Sequence, residues 1–278
     1  MVKIAVVTGS NKGIGFAIVK GLCENFHGTV YLTARDEARG KSAVAELNKL
    51  NLKPEFHQLD ITSKESIAKF ADFIKNKHGG LDVLVNNAAI AFKVAATEPF
   101  SEQAEKTVRV NYFATLDVCN ALFPLLRTNA RVVNVSSSAG HVSRIPGKAL
   151  QERFKDPALT VDKLSELMNE FVSAAAEGRH KEQGWGESAY AVSKVGVSAL
   201  TRVHQRQFDS DSRQGIVVNS VHPGYVSTDM SSHKGPLTIE EGAAAPLYLA
   251  LLPETADVPK GQYVWCDSTI RNWTDPQM

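Results

Sequence analysis

Short apolar runs alternate with longer amphipathic stretches along most of this chain. The runs predict buried β-strands over residues 4–8, 29–33, 56–59, 83–85, 131–135, 216–221 and 262–265. The stretches between them predict helices over residues 14–26, 37–50, 63–77, 102–126, 188–208 and 239–252. Continuous Val, Ile and Leu strands separated by helices are typical of a parallel sheet covered on both faces. The pattern therefore predicts an α/β fold with a mostly parallel, seven-stranded sheet flanked by helices.

Residues 147–187 interrupt this alternation. No strand pattern occurs there, but apolar residues from 164 to 175 follow helical spacing. Thr160 could begin this helix and Gly178 could end it. We interpret the region as a helical insertion before the helix at 188–208. It could pack as core, or it could cover one wall of an active site or mask an oligomer surface. Because no linker divides the chain, we expect one domain over residues 1–278.

Composition and short motifs argue against nucleic acid or membrane partners, a signal peptide, disulfides and a metal site. The chain has 278 residues, with 31 Lys and Arg against 30 Asp and Glu, so charge gives no reason to expect nucleic acid or an anionic membrane. The apolar N-terminal run stops at Gly9, too early for a signal peptide. Cys23, Cys119 and Cys266 are isolated, which suggests free thiols in a reducing compartment and a cytoplasmic location. The histidines form no ligand cluster, so we expect no metal site.

A glycine pattern lies between the first predicted strand and the first predicted helix, and reads Thr8-Gly9-Ser10-Asn11-Lys12-Gly13-Ile14-Gly15. In this position it predicts a dinucleotide-binding loop of a doubly wound, Rossmann-type fold, because the helix N-terminus offers free N–H groups to a pyrophosphate. Gly9 allows a tight turn, Gly13 a close backbone approach, and Gly15 close helix–strand packing. An ordinary glycine-rich turn is the alternative.

The end of the second predicted strand bears on the choice of cofactor. Ala34 stands where NAD-dependent enzymes usually carry an acid. Arg35 follows it, Arg39 lies one turn further on, and Lys12 lies in the glycine loop. Cations in this place fit the 2′-phosphate of NADPH, which guanidinium binds by charge-assisted hydrogen bonds. Against this, Asp36 could be the acid shifted by two positions, and the arginines could be surface charges.

Tyr190 and Lys194 form a candidate catalytic pair. Four residues apart, they face the same side of a predicted helix. A nearby cation favours the phenolate, so we expect the pKa of Tyr190 to lie below its ordinary value of about 10. Such a phenol can act as a general acid or base at neutral pH. The spacing also occurs by chance in many helices.

Further short motifs lie along the chain, in addition to the glycine loop and the Tyr190–Lys194 pair. They are Asp60, Asn86-Asn87-Ala88, Asn111, Ser137 and Pro223-Gly224. With these motifs the chain resembles the short-chain dehydrogenase/reductase family over nearly its whole length. Ala89 stands where the family's N-N-A-G motif has its glycine, which is a mild departure.

Within that family the chain resembles the monomeric NADPH-dependent carbonyl reductases, which include Sniffer-type enzymes. The supporting segments are residues 9–15, 32–36, 87–93 and 249–253, together with the long insertion before Tyr190. The resemblance implies a monomer that reduces aldehydes, ketones or quinones to alcohols or hydroquinones with NADPH. A reductase dedicated to one substrate, such as a pterin or steroid, and a non-catalytic NADPH-binding sensor are the alternatives; the intact Ser137, Tyr190 and Lys194 set argues against the sensor.

The resemblance also implies residue roles. Tyr190 would protonate the carbonyl oxygen, and Ser137 would polarise the carbonyl. Lys194 would lower the pKa of the tyrosine and hold the nicotinamide ribose, and Asn111 would support a water-linked proton relay. The expected cofactor-binding residues are Gly9, Asn11, Lys12, Gly13, Ile14, Gly15, Arg35, Arg39, Asp60, Ile61, Asn87, Ala88, Tyr190, Lys194, Pro223, Gly224, Val226 and Thr228.

Several of these assignments have structural alternatives. Ser136, Ser137 and Ser138 are adjacent, and neighbours on a strand face opposite ways. Ser137 is chosen among them by its family position, not by this alternation. Asn111 could simply satisfy a buried backbone group.

The substrate side is expected to include Ser137, His141, Trp185 and Tyr225. His141, like His222 nearby, could instead be a local hydrogen-bonding residue. Trp185 and Tyr225 could equally be packing.

Overall fold

The computed structural model describes residues 2–93, 95–255 and 258–275. The strands are β1 (Lys3–Val7), β2 (Gly28–Ala34), β3 (Glu55–Gln58), β4 (Leu81–Asn86), β5 (Leu126–Val135), β6 (Val217–Val221), β7 (Tyr263–Val264) and β8 (Ile270–Arg271). The α-helices are α1 (Gly13–Asn25), α2 (Glu37–Lys49), α3 (Lys64–His78), α4 (Phe100–Val108), α5 (Thr115–Leu122), α6 (Lys148–Lys155), α7 (Val161–Ala176), α8 (Ala189–Asp209) and α9 (Ile239–Ala250).

The strands form a single sheet in the order β3-β2-β1-β4-β5-β6-β7-β8. Neighbours from β3 to β7 are parallel, and β8 pairs antiparallel with β7. The α/β prediction is thus confirmed, but in the described part of the chain the sheet has eight strands instead of seven. The strand missing from the prediction is the exposed pair Ile270–Arg271, which is too short to show an apolar pattern. Strand order reverses between β1 and β4, where open α/β sheets usually bind ligands.

Alternating side chains of the strands fill cores on the two faces of the sheet. In β1, Ala5 and Val7 pack with α1 and α9, whereas Ile4 and Val6 pack on the opposite face with α3 and α5. Successive strand residues point to opposite faces, so strands buried on both sides are apolar throughout. This explains why most strand predictions from continuous apolar runs were close to the observed bounds. The exception is β5, which begins at Leu126 and not at residue 131, because its first residues are mixed in burial.

The predicted helix at 102–126 is interrupted. It consists of α4, a π-helical turn (Arg109–Ala114), α5 and a short 3₁₀ turn (Phe123–Leu125). π-Helical turns are often found at functional sites, and this one carries Asn111.

The insertion is helical, as predicted, and contains α6 in addition to the predicted helix. In α7, Thr160 is the N-cap and its hydroxyl accepts a hydrogen bond from the amide of Lys163. Gly178 has φ +71° just beyond the helix, the left-handed conformation that favours glycine at this position. The apolar face of α7 packs against α4 and α8, so the insertion covers these two helices. None of the helices within the described residues is both long and apolar enough to cross a bilayer.

Candidate active site

The glycine loop lies against the segment after β4. The Thr8 hydroxyl accepts hydrogen bonds from the amides of Asn87 (3.0 Å) and Ala88 (3.1 Å). The side-chain amide of Asn87 donates to the carbonyl oxygens of Thr8 and Gly9, both at 3.0 Å. Asn87 therefore fixes the shape of the loop, a role that its family position alone did not indicate.

Gly9 and Gly15 of the loop leave no room for a side chain. Gly9 and Gly13 have φ near +60°. A Cβ on Gly9 would lie 2.8 Å from the Cβ of Ala88, and one on Gly15 would lie 2.4 Å from Nδ2 of Asn87. Close approach of main chain to main chain at the start of α1 is the cradle that a pyrophosphate needs. The residues present therefore fit a dinucleotide.

The end of β2 favours a 2′-phosphate over a free ribose hydroxyl. Asp36 is the N-cap of α2, and its carboxylate accepts a hydrogen bond from the amide of Arg39 at 2.8 Å. The carboxylate that could have bound a ribose therefore caps α2 instead. The side chain of Arg35 is exposed and has no ion pair among the described residues, so its guanidinium is available to an anion.

Lys12 contacts the segment of residues 229–233, which lies between β6 and α9. Its ammonium forms an ion pair with the exposed carboxylate of Asp229, which also contacts His233 at 3.0 Å. The ammonium of Lys93 donates to the carbonyl of Asp229 and to the hydroxyl of Ser232. The segment 229–233 is thereby held next to the glycine loop.

The other predicted cofactor residues differ in exposure. Asp60 is half-buried, and its carboxylate accepts hydrogen bonds from the amide and hydroxyl of Thr62. Ile61 is buried in the core beside α3. The remaining members are the half-buried Asn11, Ile14, Gly224 and Thr228 and the buried Pro223 and Val226.

Ser137, Tyr190 and Lys194 come together at the carboxyl end of β5. The Ser137 hydroxyl lies close enough to the phenol of Tyr190 to lower its pKa. The ammonium of Lys194 donates to the carbonyl of Val135 at 2.7 Å and lies 5.8 Å from the centre of the Tyr190 ring. The structure thus places the predicted side chains in one cluster.

The charges in this cluster differ from the expectation. Burial raises the pKa of Tyr190, and the hydrogen bond with Ser137 opposes that shift only partly. Burial also lowers the pKa of Lys194 to about 8. The expected lowering of the tyrosine pKa by Lys194 was wrong for this structure, because desolvation of the phenol dominates. A protonated phenol is the form that can donate a proton.

The contacts of Ser136 and Ser137 favour Ser137 as the residue that faces the site. The Ser136 hydroxyl is buried against α8, where it bonds the hydroxyl of Ser198 at 2.8 Å and the carbonyl of Lys194 at 3.3 Å. Ser137 faces the opposite way, towards Tyr190, as strand alternation requires.

Asn111 bridges the site instead of opening into it. Its Oδ1 accepts from the amide of Ile90 at 2.8 Å, and its Nδ2 donates to the Ile90 carbonyl at 2.9 Å and to Ser193 Oγ at 3.0 Å. Ser193 in turn donates to the carbonyl of Tyr190 at 2.8 Å. The asparagine therefore ties the loop after β4 to α8. Its contacts with Ile90 are those of a residue that satisfies buried backbone groups.

Two expected substrate contacts need correction. His141 is 1% exposed, and its ring nitrogens contact the hydroxyl of Ser143 and the carbonyl of Asn272. Trp185 is 2% exposed and packs against Phe171 inside the insertion. Neither side chain can reach a substrate in this conformation. Tyr225, by contrast, is 54% exposed and remains a candidate.

Sequence reasoning missed the contribution of the C-terminal segment. Tyr263 donates a hydrogen bond to the carbonyl of Ser137, and Trp273 donates one to the carbonyl of Gly140. No sequence pattern indicated these contacts, because Tyr263 and Ser137 are 126 positions apart and Trp273 and Gly140 are 133 positions apart.

Comparison with known proteins agrees with this geometry. The short chain dehydrogenase family matches residues 3–149 and 172–236, and the unmatched gap falls within the insertion. Carbonyl reductase (NADPH) 1 of Bos taurus is 49% identical over 265 residues, covering 94% of this chain and 95% of the relative. The Homo sapiens protein of the same name is 48% identical over 275 residues, covering 98% and 99%. The structure of salutaridine reductase from Papaver somniferum is 35% identical with a TM-score of 0.85, covering 94% and 99%. The chain belongs to the short chain dehydrogenase family.

Proposed function

We propose that the protein is an NADPH-dependent carbonyl reductase that converts aldehydes, ketones or quinones to alcohols or hydroquinones. The observation that carries this proposal is the Ser137 hydroxyl close to the phenol of Tyr190 and the buried Lys194, together with a glycine loop that fits a dinucleotide. Relatives nearly half identical over almost the whole chain are named carbonyl reductase (NADPH), which supports the cofactor and the reaction class.

The cofactor would lie across the glycine loop. The first turn of α1 presents amides to the pyrophosphate, and Arg35, with Arg39 and Lys12 nearby, would bind the 2′-phosphate. Asn87, Ala88, Asp60 and the segment 223–228 would line its remaining parts. NADPH, when bound, supplies the hydride that the carbonyl carbon accepts.

Tyr190 and Ser137 act on the oxygen of the substrate. A carbonyl that gains a hydride at carbon develops negative charge at oxygen, which hydrogen-bond donors stabilise. The Ser137 hydroxyl would donate to this oxygen, and the phenol of Tyr190 would transfer its proton to it. The raised pKa of Tyr190 keeps that proton in place at neutral pH. Lys194, with a pKa of about 8, is then mostly charged and stabilises the phenolate that remains.

The test is NADPH consumption with a dicarbonyl and a quinone as substrates. We expect Tyr190→Phe to lower kcat by about 10²–10⁴-fold, the usual contribution of a general acid, with NADPH binding retained. Tyr248→Phe is the matched control, because Tyr248 is half-exposed on α9 and distant in sequence from the cluster. Wild-type turnover by Tyr190→Phe would falsify the mechanism.

A reductase dedicated to one substrate is the second candidate. The similarity to salutaridine reductase, a relative named for a single substrate, favours it. The two candidates differ in a panel of unrelated carbonyls, including a pterin and a steroid. Comparable kcat/KM across the panel supports a broad reductase, whereas one value far above the rest supports a dedicated enzyme.

We also propose a cytoplasmic monomer. The packing of α7 on α4 and α8 supports the monomer, because it covers helix faces that would otherwise be open to a second copy. The free cysteines Cys23, Cys119 and Cys266 are consistent with a reducing compartment. Light scattering after size-exclusion chromatography tests the first point, and a stable dimer would contradict it.

A further inference from the structure

The loop that carries Ser137 has little regular structure of its own. After β5 the chain makes two 3₁₀ turns, Ser138–Gly140 and Val142–Arg144. The Ser137 hydroxyl accepts a hydrogen bond from the amide of Ala139 at 3.1 Å, which belongs to the same loop. Since such short turns are weak by themselves, the place of Ser137 depends on what holds the main chain of this loop.

One side of the loop is fixed by α8. Gly140 approaches this helix so closely that a Cβ there would lie 2.9 Å from the carbonyl oxygen of Lys194 and 3.0 Å from the hydroxyl of Ser198. The loop therefore cannot move further towards α8. It could still move away from the helix unless something holds its other side.

The C-terminal segment, residues 263–273, holds that other side. The phenol of Tyr263 donates to the main-chain carbonyl of Ser137 at 2.6 Å. The indole of Trp273 donates to the carbonyl of Gly140 at 2.6 Å, and the His141 ring contacts the carbonyl of Asn272 at 3.0 Å. Tyr263 and Trp273 are each 2% exposed, so solvent does not compete for these bonds.

We infer that Tyr263 is a positioning residue for Ser137, and that Trp273 supports the same loop. This rests on the proposed function, in which Ser137 polarises the carbonyl. Tyr263 bonds the carbonyl of the serine residue itself, so its rigid ring fixes where the Ser137 hydroxyl stands relative to Tyr190. Burial raises the pKa of Tyr263, so the phenol keeps the proton that it donates.

Tyr263→Phe removes this hydrogen bond and leaves the ring. We expect kcat to fall about tenfold, the effect of one lost hydrogen bond on a positioned group, while KM for NADPH stays within about twofold. Tyr31→Phe is the matched control: Tyr31 is fully buried in β2, and its hydroxyl contacts His78 at 2.7 Å, away from the cluster. Tyr31→Phe should destabilise the protein without lowering kcat.

A double-mutant comparison separates positioning from general stability. Ser137→Ala keeps the main-chain carbonyl that Tyr263 bonds, but removes the hydroxyl whose position matters. Tyr263→Phe should therefore change kcat by less than about twofold in the Ser137→Ala background. An equal tenfold loss in both backgrounds, or no loss in the wild-type background, would overturn the inference.

A second measurement does not depend on turnover. Hydrogen exchange of a peptide spanning residues 137–144 should be faster in Tyr263→Phe and in Trp273→Phe than in the wild type, and unchanged in Tyr31→Phe. If the wild type reduced no carbonyl, the proposed function would fail while this result still reported on the loop. Unchanged exchange in both variants would refute the positioning of Ser137 by the C-terminal segment.

Discussion

Lys194 is a buried charge, and its cost can be measured by varying pH. The residue is 4% exposed, and burial lowers its pKa from the usual 10.5 to about 8. Below pH 8 both the folded and the unfolded chain hold the proton. Between pH 8 and 10.5 the unfolded chain binds the proton and the folded chain does not. The contribution of Lys194 to stability therefore rises with pH in this window, because at this group the unfolded state binds more protons.

Lys194→Met removes the titrating group and keeps a side chain of similar length. The free energy of unfolding of the wild type, minus that of the variant, should rise by about 1.4 kcal/mol per pH unit inside the window. Over the whole window the rise is about 3 kcal/mol. The lost hydrogen bond to Val135 adds an offset that does not depend on pH.

The assay is urea unfolding of both proteins without cofactor, in steps of about one pH unit from neutral upwards. Other groups also titrate there: burial raises the pKa of Cys119 to about 12 and that of Cys23 to about 11. Because the substitution leaves these thiols in place, their contribution cancels in the difference. A difference that is flat, or that falls as pH rises, would refute the desolvation of Lys194.

Further substitutions test other parts of the structure. Gly15→Ala should abolish NADPH binding in a binding titration, because its Cβ would lie 2.4 Å from the Asn87 amide; Gly79→Ala, with nothing within 4 Å, should bind normally. Thr238→Ala removes the capping box of α9 and should cost about 1 kcal/mol in urea unfolding. Arg35→Ala should lower the kcat/KM preference for NADPH over NADH by roughly tenfold or more, since it removes a charge-assisted hydrogen bond; an unchanged preference would contradict the proposed 2′-phosphate site.

The fold was predictable because its core elements are long and strongly patterned. The strands β1, β2, β4, β5 and β6 are mostly buried on both faces, so their apolar runs were visible in the sequence. The strand β8 consists of two exposed residues, and α6 consists of eight residues, three of them buried. Both elements are too short to show a reliable period. The π-helical turn at Arg109–Ala114 has no compositional signature and follows from local backbone geometry.

The site was predictable in its members and less so in their electrostatics. Motif order placed Ser137, Tyr190 and Lys194 together, as the structure does. Spacing alone could not show that the phenol is desolvated, and so it gave the wrong sign for the pKa of Tyr190. Nor could it show that Trp185 is buried among the residues of the insertion, because an aromatic residue between glycines fits both a pocket wall and a core.

The polar residues around the site are largely occupied with holding loops, and this limits what Asn111 can do. The loops at the carboxyl ends of the strands have main-chain groups that no sheet partner satisfies, and buried groups of this kind need side-chain partners. Among the described residues, Asn111 uses both N–H donors, on Ile90 and Ser193, and one of the two lone pairs of its Oδ1, on Ile90. In the proposed water-linked relay, the side chain of Asn111 can therefore offer only the second lone pair of Oδ1, with the water as the donor. A proton path that used this side chain would pass through water molecules that donate to Oδ1, while the asparagine itself stays fixed between the loop and α8.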